Sequence, residues 1–496
     1  MTPTLQDNLD AASTAITRVD AFIGGQFMPA GSGARLPSIS PRDGKVIAEI
    51  AACDDVDIDR AVTAARASFS DGRWARQHPR HRRAVLQRLA RLVEQHSHEL
   101  ALLESLDMGK PVSDAVSVDM RVVMQSFDFF AEAIDKRYDE VGPSDPTVVS
   151  MITREPVGVV GAIVPWNFPL MLAAWKLAPA LAMGNSVVLK PAELSSLTAL
   201  RFAELAAEAG LPDGVLNVVP GLGETAGSAL ARHNDVDLLC FTGSGPVGRQ
   251  LLRDSADSNL KQVALELGGK SPQLVMADAP DTDTVAAGVA GGIFFNQGQI
   301  CSAGSRLIVH RSRYEELLDA VVARAQKMVA ADPLDPSTEL GAMVEERHLQ
   351  RVLNHIDAAR EAGADIVTGG DRAEVISGGS YMQPTVITGA TPESVVAQTE
   401  IFGPVLVVLP FDSTEEAVAI ANGTPYGLAS SVWTTNLTTA HSLSRTIRAG
   451  TVFINCYDAA DVSVPFGGYG QSGFGRDKSL HALDKYSQLK TTWIQL

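Results

Sequence analysis

Residues 154–193 read REPVGVVGAIVPWNFPLMLAAWKLAPALAMGNSVVLKPAE. An apolar run at 157–164 stops at Pro165, a helical stretch follows at 175–182, and a second apolar run at 186–189 ends at Lys190 and Pro191. Two short apolar strands joined by a helix form a parallel βαβ unit, because parallel neighbours need a long crossover that no hairpin supplies. The stretch is apolar enough to raise the question of a membrane span. Pro165, Asn167, Pro169, Lys176, Pro179 and Asn185 interrupt it, and such interruptions suit buried α/β structure better than lipid.

The alternation continues downstream. Strands are expected at 215–219, 238–241 and 262–267, with helices at 197–209 and 226–233. After Gly268 it begins again: helix 284–295, strand 307–310, helices 313–330 and 349–362, and strands near 384–387 and 405–409. The fold class is therefore α/β, with two tandem Rossmann-like domains joined near Gly268 and Gly269 and doubly wound sheets. Upstream, residues 60–106 carry helical spacing and predict two or three long helices. Residues 140–151 and the tail KTTWIQL are β-prone. The organisation expected is a first domain of residues 1–137 and 154–267, a second of 268–468, and an arm and tail at 138–153 and 482–496.

The 496 residues hold 41 basic and 58 acidic side chains, a net charge of −17, which disfavours nucleic-acid and membrane-surface roles. Cys53, Cys240, Cys301 and Cys456 form no CxxC pair and lie near no histidine cluster, so neither a disulfide framework nor a metal site is expected. The N-terminal MTPTLQDNLDAASTAITRVDAF lacks a basic flank and an apolar core. A reduced, cytoplasmic protein is the expectation.

Two glycine-rich loops follow strands and open helices: VLNVVPGLGETAG, with Gly221, Gly223 and Gly227, and CFTGSGPVG, with Gly243, Gly245 and Gly248. Either places backbone N–H groups where a pyrophosphate can sit, or is simply a tight turn. Three further segments carry chemistry. GGIFFNQGQICSAGS puts Cys301 in a glycine-rich polar loop, where it is either an inert core thiol or a nucleophile. QVALELGGKSP sets Glu266 between Leu265 and Leu267, either a hydrogen-bonded structural group or a base of raised pKa. VPWNFPL holds Asn167 between Trp166 and Phe168, either a turn residue or a donor to a developing oxyanion.

Together these segments resemble the aldehyde dehydrogenase superfamily. REPVGVVGAIVPWNFP, GNSVVLKPAE, GLPDGVLNVVPG, FTGSGPVG, LELGGKSP, FFNQGQICSAGSR, EIFGPV and VPFGGYGQSGFGRD follow the family's order, and LDMGKP and FIGGQF extend the match towards the N-terminus. The resemblance implies an enzyme oxidising an aldehyde to an acid with NAD, NADP being possible. Cys301 would be the nucleophile, Asn167 and the Cys301 N–H the oxyanion donors, Glu266 the base, and Lys176 with Asp477 a proton relay, Asp477 standing where the family more often has glutamate. Trp166, Lys190, Glu193, Gly223, Gly227, Gly243, Ser244, Gly248, Glu400 and Phe402 would hold the cofactor. Glu193 favours NAD, since a carboxylate accepts from a ribose 2′-OH and repels a 2′-phosphate.

The same likeness places Phe168, Met171, Trp175, Phe295, Ile300 and Phe466 along an apolar aldehyde tunnel. Asp458 and Asp461 are expected at its mouth, to anchor a cationic group or to be plain solvated loop carboxylates. The chain is most similar to a bacterial subgroup acting on ω-amino, γ-glutamylamino or guanidino aldehydes in polyamine and arginine breakdown, with a broad-specificity aliphatic or aromatic enzyme as the alternative. A CoA-acylating relative is disfavoured by Glu266, and a retired structural protein by the survival of Cys301, Asn167 and Glu266. By the same resemblance a homodimer or homotetramer is expected, an unpaired edge near Trp493 being a liability in a monomer.

Overall fold

The computed structural model describes residues 3–459 and 461–496. Its first sheet has eight strands, in the spatial order Gly473–Phe474, Gln262–Glu266, Leu238–Thr242, Val159–Ile163, Ser186–Lys190, Leu216–Val218, Ala21–Ile23 and Gln26–Met28. The five from Gln262–Glu266 to Leu216–Val218 are parallel. Val159–Ile163, Ser186–Lys190 and Leu238–Thr242 are buried at every residue, as strands covered on both faces must be. The strand order reverses at Val159–Ile163, which is what doubly wound means. That reversal opens a crevice beyond the carboxyl ends of Val159–Ile163 and Leu238–Thr242.

The Pro169–Ala182 helix starts six residues before the expected 175. Its proline occupies the first turn, where a missing N–H costs nothing. All fourteen of its residues are buried, so no polar face marks its periodicity. The expected 226–233 helix begins earlier as well, with a wide π-type turn at Gly223–Gly227 that continues into Ser228–Arg232. The helical stretch at 60–106 resolves into Asp55–Ser70, Pro79–Gln95 and Ser97–Met108, the first opened by an Asp54 capping box.

A second sheet of seven strands runs Asp365–Thr368, Thr385–Thr388, Val405–Phe411, Arg306–His310, Pro272–Val275, Ala429–Trp433 and Thr451–Ile454. The chain passes from the first sheet to the second between Glu266 and Pro272. It returns at Gly473–Phe474, which pairs antiparallel with Leu265 and Glu266. Glu266 therefore lies at the seam, flanked by a strand from beyond the second sheet. A third sheet joins Glu140–Gly142, Val148–Pro156 and Ser487–Gln495, and Trp493, Leu489 and Val141 on it remain exposed. Among the described residues no helix is long and apolar enough to cross a membrane, and no cluster of three or more metal-ligating side chains occurs.

Candidate active site

The helix Thr282–Phe294 delivers the chain to a short turn, Phe295–Gly298, in which Asn296 (φ 50°) and Gln297 (φ 55°) are left-handed. Non-glycine residues accept that backbone only when their surroundings hold it. Here the Asn296 Nδ2 donates to the carbonyls of Asn167 (3.0 Å) and Gln299 (3.2 Å), and the Asn167 Nδ2 donates to Gln299 O at 2.9 Å. Asn167 is thus tied to the Cys301 loop through one amide hydrogen, which leaves the other N–H available. Cys301 is half-buried. Burial raises its thiol pKa far above the ordinary value, and the carboxylates of Glu400, Asp458 and Glu266 add to the effect.

Glu266 ends its strand fully enclosed, with neither carboxylate oxygen hydrogen-bonded. Burial, reinforced by the charge of Asp477, holds its pKa well above the carboxylate range, against the pull of Lys485, Lys176 and Arg476. A side chain at Gly467 would come within 2.7 Å of Glu266 Oε1, so that glycine leaves the carboxylate its space. Behind it, Asp477 accepts from Lys176 at 3.0 Å and from Lys485 at 2.5 Å. Burial pushes Asp477 up, but the two lysines together bring it below the ordinary value.

Cys301 opens on a cavity of about 120 Å³ whose walls include Phe168, Met171, Trp175, Phe295, Ile300 and Phe466. Phe168 stacks with Phe295 (ring centroids 6.5 Å apart), and Trp175 packs against Phe466 at 5.2 Å. The paired expectation for the two aspartates divides here. Asp458 lines the cavity. Asp461 is absent from the lining, and its Oδ1 instead accepts from Ser463 N at 2.8 Å, closing a local turn. Asp458 is exposed where it lines the cavity, and desolvation by the protein around it raises its pKa despite Lys478 and the Ser302 hydroxyl beside it.

The residues expected to hold a dinucleotide converge on the crevice from two directions. Lys190 closes its strand and pairs with Glu193 at 2.9 Å. Gly243 and Ser244 follow Leu238–Thr242, and Ser244 leads the Gly245–Ala256 helix without a side-chain cap bond, so the helix's first amides have no competitor from that side chain. Pro246 stands in that first turn, where it leaves the helix intact but removes one amide donor. A side chain at Gly248 would press on Leu267 at 2.9 Å, whereas one at Gly223 would meet open space. Gly227 closes the π-type turn that Gly223 begins. From the second sheet's side, Phe402, left-handed at φ 63°, meets Trp166 edge-on at 5.4 Å. Glu400 accepts from Gly269 N at 3.1 Å, and burial pushes its pKa to about 7. These residues fit a dinucleotide's ribose and phosphate groups.

Two charged residues escaped the sequence reading. Lys478 follows Asp477 directly and lines the same cavity as Asp458. Lys485 completes the cluster around Asp477. Neither shows a motif of its own. The signal for Lys478 was structural: Phe466 and Asp477 form a reciprocal backbone bridge at 2.8 Å, which brings the next residue to the tunnel wall. Gly470 has φ 57°, and a side chain there would meet Pro425 O at 2.7 Å.

Residues 27–492 match the model of the aldehyde dehydrogenase family. The chain is 49% identical over 475 residues to the NADP/NAD-dependent aldehyde dehydrogenase PuuC of Escherichia coli (strain K12), covering 96% of this chain and 95% of that one. Two solved structures align over 100% of both chains. One is a mutant of the P. syringae indole-3-acetaldehyde dehydrogenase AldA in complex with NAD+ and IAA, 51% identical with a TM-score of 0.99. The other is the γ-glutamyl-γ-aminobutyraldehyde dehydrogenase of Burkholderia cenocepacia J2315, 52% identical with a TM-score of 0.98.

Proposed function

Because the chain belongs to the aldehyde dehydrogenase family, we propose that it oxidises an aldehyde carrying a charged far end to the carboxylic acid, with NAD+ and through a covalent adduct on Cys301. The observation that carries this reading is Glu266. A fully enclosed carboxylate with both oxygens unpartnered is costly unless used, and this one stands close enough to Cys301 to raise its pKa.

At rest the Cys301 thiol is neutral, so its proton must leave as sulfur attacks, and Glu266 is basic enough to take it. A bond forms between Cys301 Sγ and the aldehyde carbon. The resulting oxyanion accepts from the free N–H of the Asn167 amide and from the Cys301 backbone N–H. When bound, NAD+ supplies the acceptor for the hydride that leaves this carbon. The thioester left on Cys301 is hydrolysed by a water that Glu266 deprotonates, which releases the acid and the thiolate. Lys176 and Asp477, with Lys485, would carry the proton away from Glu266. Lys190, Glu193, the Gly223–Gly227 turn, Gly243, Ser244, Gly248, Trp166, Glu400 and Phe402 would bind the dinucleotide, so that residues 1–137 and 154–267 would serve as the cofactor domain and 268–468 as the catalytic one.

Asp458 supports a cationic or γ-glutamyl substrate, the class named for the Burkholderia relative. A second reading, a neutral aryl or alkyl aldehyde, is favoured by the aromatic walls and by the AldA relative. NAD+ reduction measured with γ-aminobutyraldehyde, its γ-glutamyl form, hexanal and benzaldehyde separates them, using wild type, Asp458→Asn and a Cys301→Ala blank. A selective rise in KM for the charged aldehydes in Asp458→Asn supports the first reading. A preference for hexanal or benzaldehyde that Asp458→Asn does not change supports the second. The exposed Val141, Leu489 and Trp493 of the third sheet favour a dimer or tetramer, which sedimentation would reveal. The free cysteines fit a reducing cytoplasm.

A further inference from the structure

Lys478 is only 5% exposed, yet among the described residues it has no ion pair and no side-chain hydrogen bond. Its Nζ lies 5.2 Å from the Trp175 ring and 5.9 Å from that of Phe466, two walls of the cavity it helps to line. A lysine buried without a carboxylate partner is costly, and ring faces compensate only in part. Asp458 lines the same cavity, but the two are not ion-paired. Each is close enough to the other to affect its charge, and Asp461 and Asp477 act on Lys478 in the same sense from further off than an ion pair. Both have left-handed backbone, Asp458 at φ 52° and Lys478 at φ 62°. The Lys478 segment is fastened to the rim by Ser479 N donating to Val462 O at 2.7 Å, and Val462 is itself a lining residue. Two opposite charges thus line one cavity without pairing, each on a left-handed backbone.

We propose that Lys478 is a specificity-determining residue that binds a carboxylate, and that with Asp458 it selects aldehydes whose far end bears both a carboxylate and an ammonium, as a free α-amino acid does. This inference rests on the reading that Asp458 engages a charged substrate. A bare ammonium or guanidinium aldehyde meets the attraction of Asp458 and the repulsion of Lys478 together. A zwitterionic head satisfies both groups and relieves the buried lysine.

The test is steady-state oxidation of four aldehydes of matched chain length: ending in a methyl, an ammonium, a carboxylate and a free α-amino acid. Each KM is compared with that of the methyl-ended reference. Wild type is expected to favour the amino-acid aldehyde. Lys478→Met keeps the side chain's length, and its expected effect is a KM about ten- to a hundredfold higher for both carboxylate-bearing aldehydes. Lys478→Arg is expected to retain most of that discrimination. The proposal is overturned if Lys478→Met shifts ammonium- and carboxylate-ended substrates alike. It is also overturned if wild type handles the carboxylate-ended aldehyde no better than the methyl-ended one, a comparison that needs no variant. If either result appears while Asp458→Asn still weakens the ammonium-ended aldehyde, only this inference fails. If Asp458→Asn changes nothing either, the charged-substrate reading fails with it.

Discussion

Replacing Gly268 with alanine isolates the role of Glu400. A Cβ at this position would stand 1.9 Å from Glu400 Oε2 and 2.4 Å from Cδ, far inside van der Waals contact. Gly268 has no left-handed φ, so its backbone accepts alanine and the strain falls on the end of the Glu400 side chain. The carboxylate must swing away, and in doing so it gives up the 3.1 Å bond from Gly269 N. Leaving that amide unpaired costs about 1–3 kcal/mol of stability. If Glu400 holds a ribose hydroxyl of the cofactor, the displaced side chain also loses a charge-assisted bond worth about 1.5–3 kcal/mol, or roughly ten- to a hundredfold in Kd for NAD+. Tryptophan-fluorescence or calorimetric titration with NAD+ reads this directly, with thermal unfolding as a check that the variant is folded. A folded Gly268→Ala protein that binds NAD+ with the wild-type Kd would refute the reasoning and remove Glu400 from the cofactor site.

Burial places the Glu266 pKa above its ordinary 4.5, so the basic form is reached only above that raised value. The kcat–pH profile should therefore rise through an apparent pKa above 4.5, and Glu266→Gln should abolish the limb together with most of the turnover. Asp477→Asn removes the carboxylate shared by the buried Lys176 and Lys485; breaking such a pair should cost about 3–5 kcal/mol, seen in chemical unfolding. Because the folded pKa of Asp477 is depressed, its contribution is present above the unfolded value and lost as pH falls through the folded one. The wild-type advantage should accordingly shrink in acid. Glu193→Gln removes the charge that would face a 2′-phosphate while keeping an acceptor, and should raise the NADP+ to NAD+ ratio of kcat/KM about tenfold or more.

The parallel core was legible because Val159–Ile163, Ser186–Lys190 and Leu238–Thr242 are short apolar runs punctuated by proline and glycine. The strands Pro272–Val275, Ala429–Trp433 and Thr451–Ile454 were not anticipated. Ser430 and Ser431 break the apolar run of the second, and Pro272 opens the first. Cys301, Glu266 and Asn167 announced themselves as residues out of keeping with their surroundings. Asp458 and Asp461 could not be told apart in sequence, since both are carboxylates in one loop. Only the Ser463 turn shows that Asp461 is spent locally. Lys478 reads in sequence as one more basic residue after Asp477. Its place in the tunnel depends on the Phe466–Asp477 bridge, a contact no local pattern encodes.

The measurement that bears most directly on the central claim is peptide mass spectrometry of the Glu266→Gln protein after mixing with NAD+ and an aldehyde substrate. With hydrolysis blocked, the account predicts an acyl group on Cys301, with NADH formed in proportion to it, and no such adduct without NAD+. Acylation of another residue, or continued aldehyde oxidation by Cys301→Ala, would contradict it.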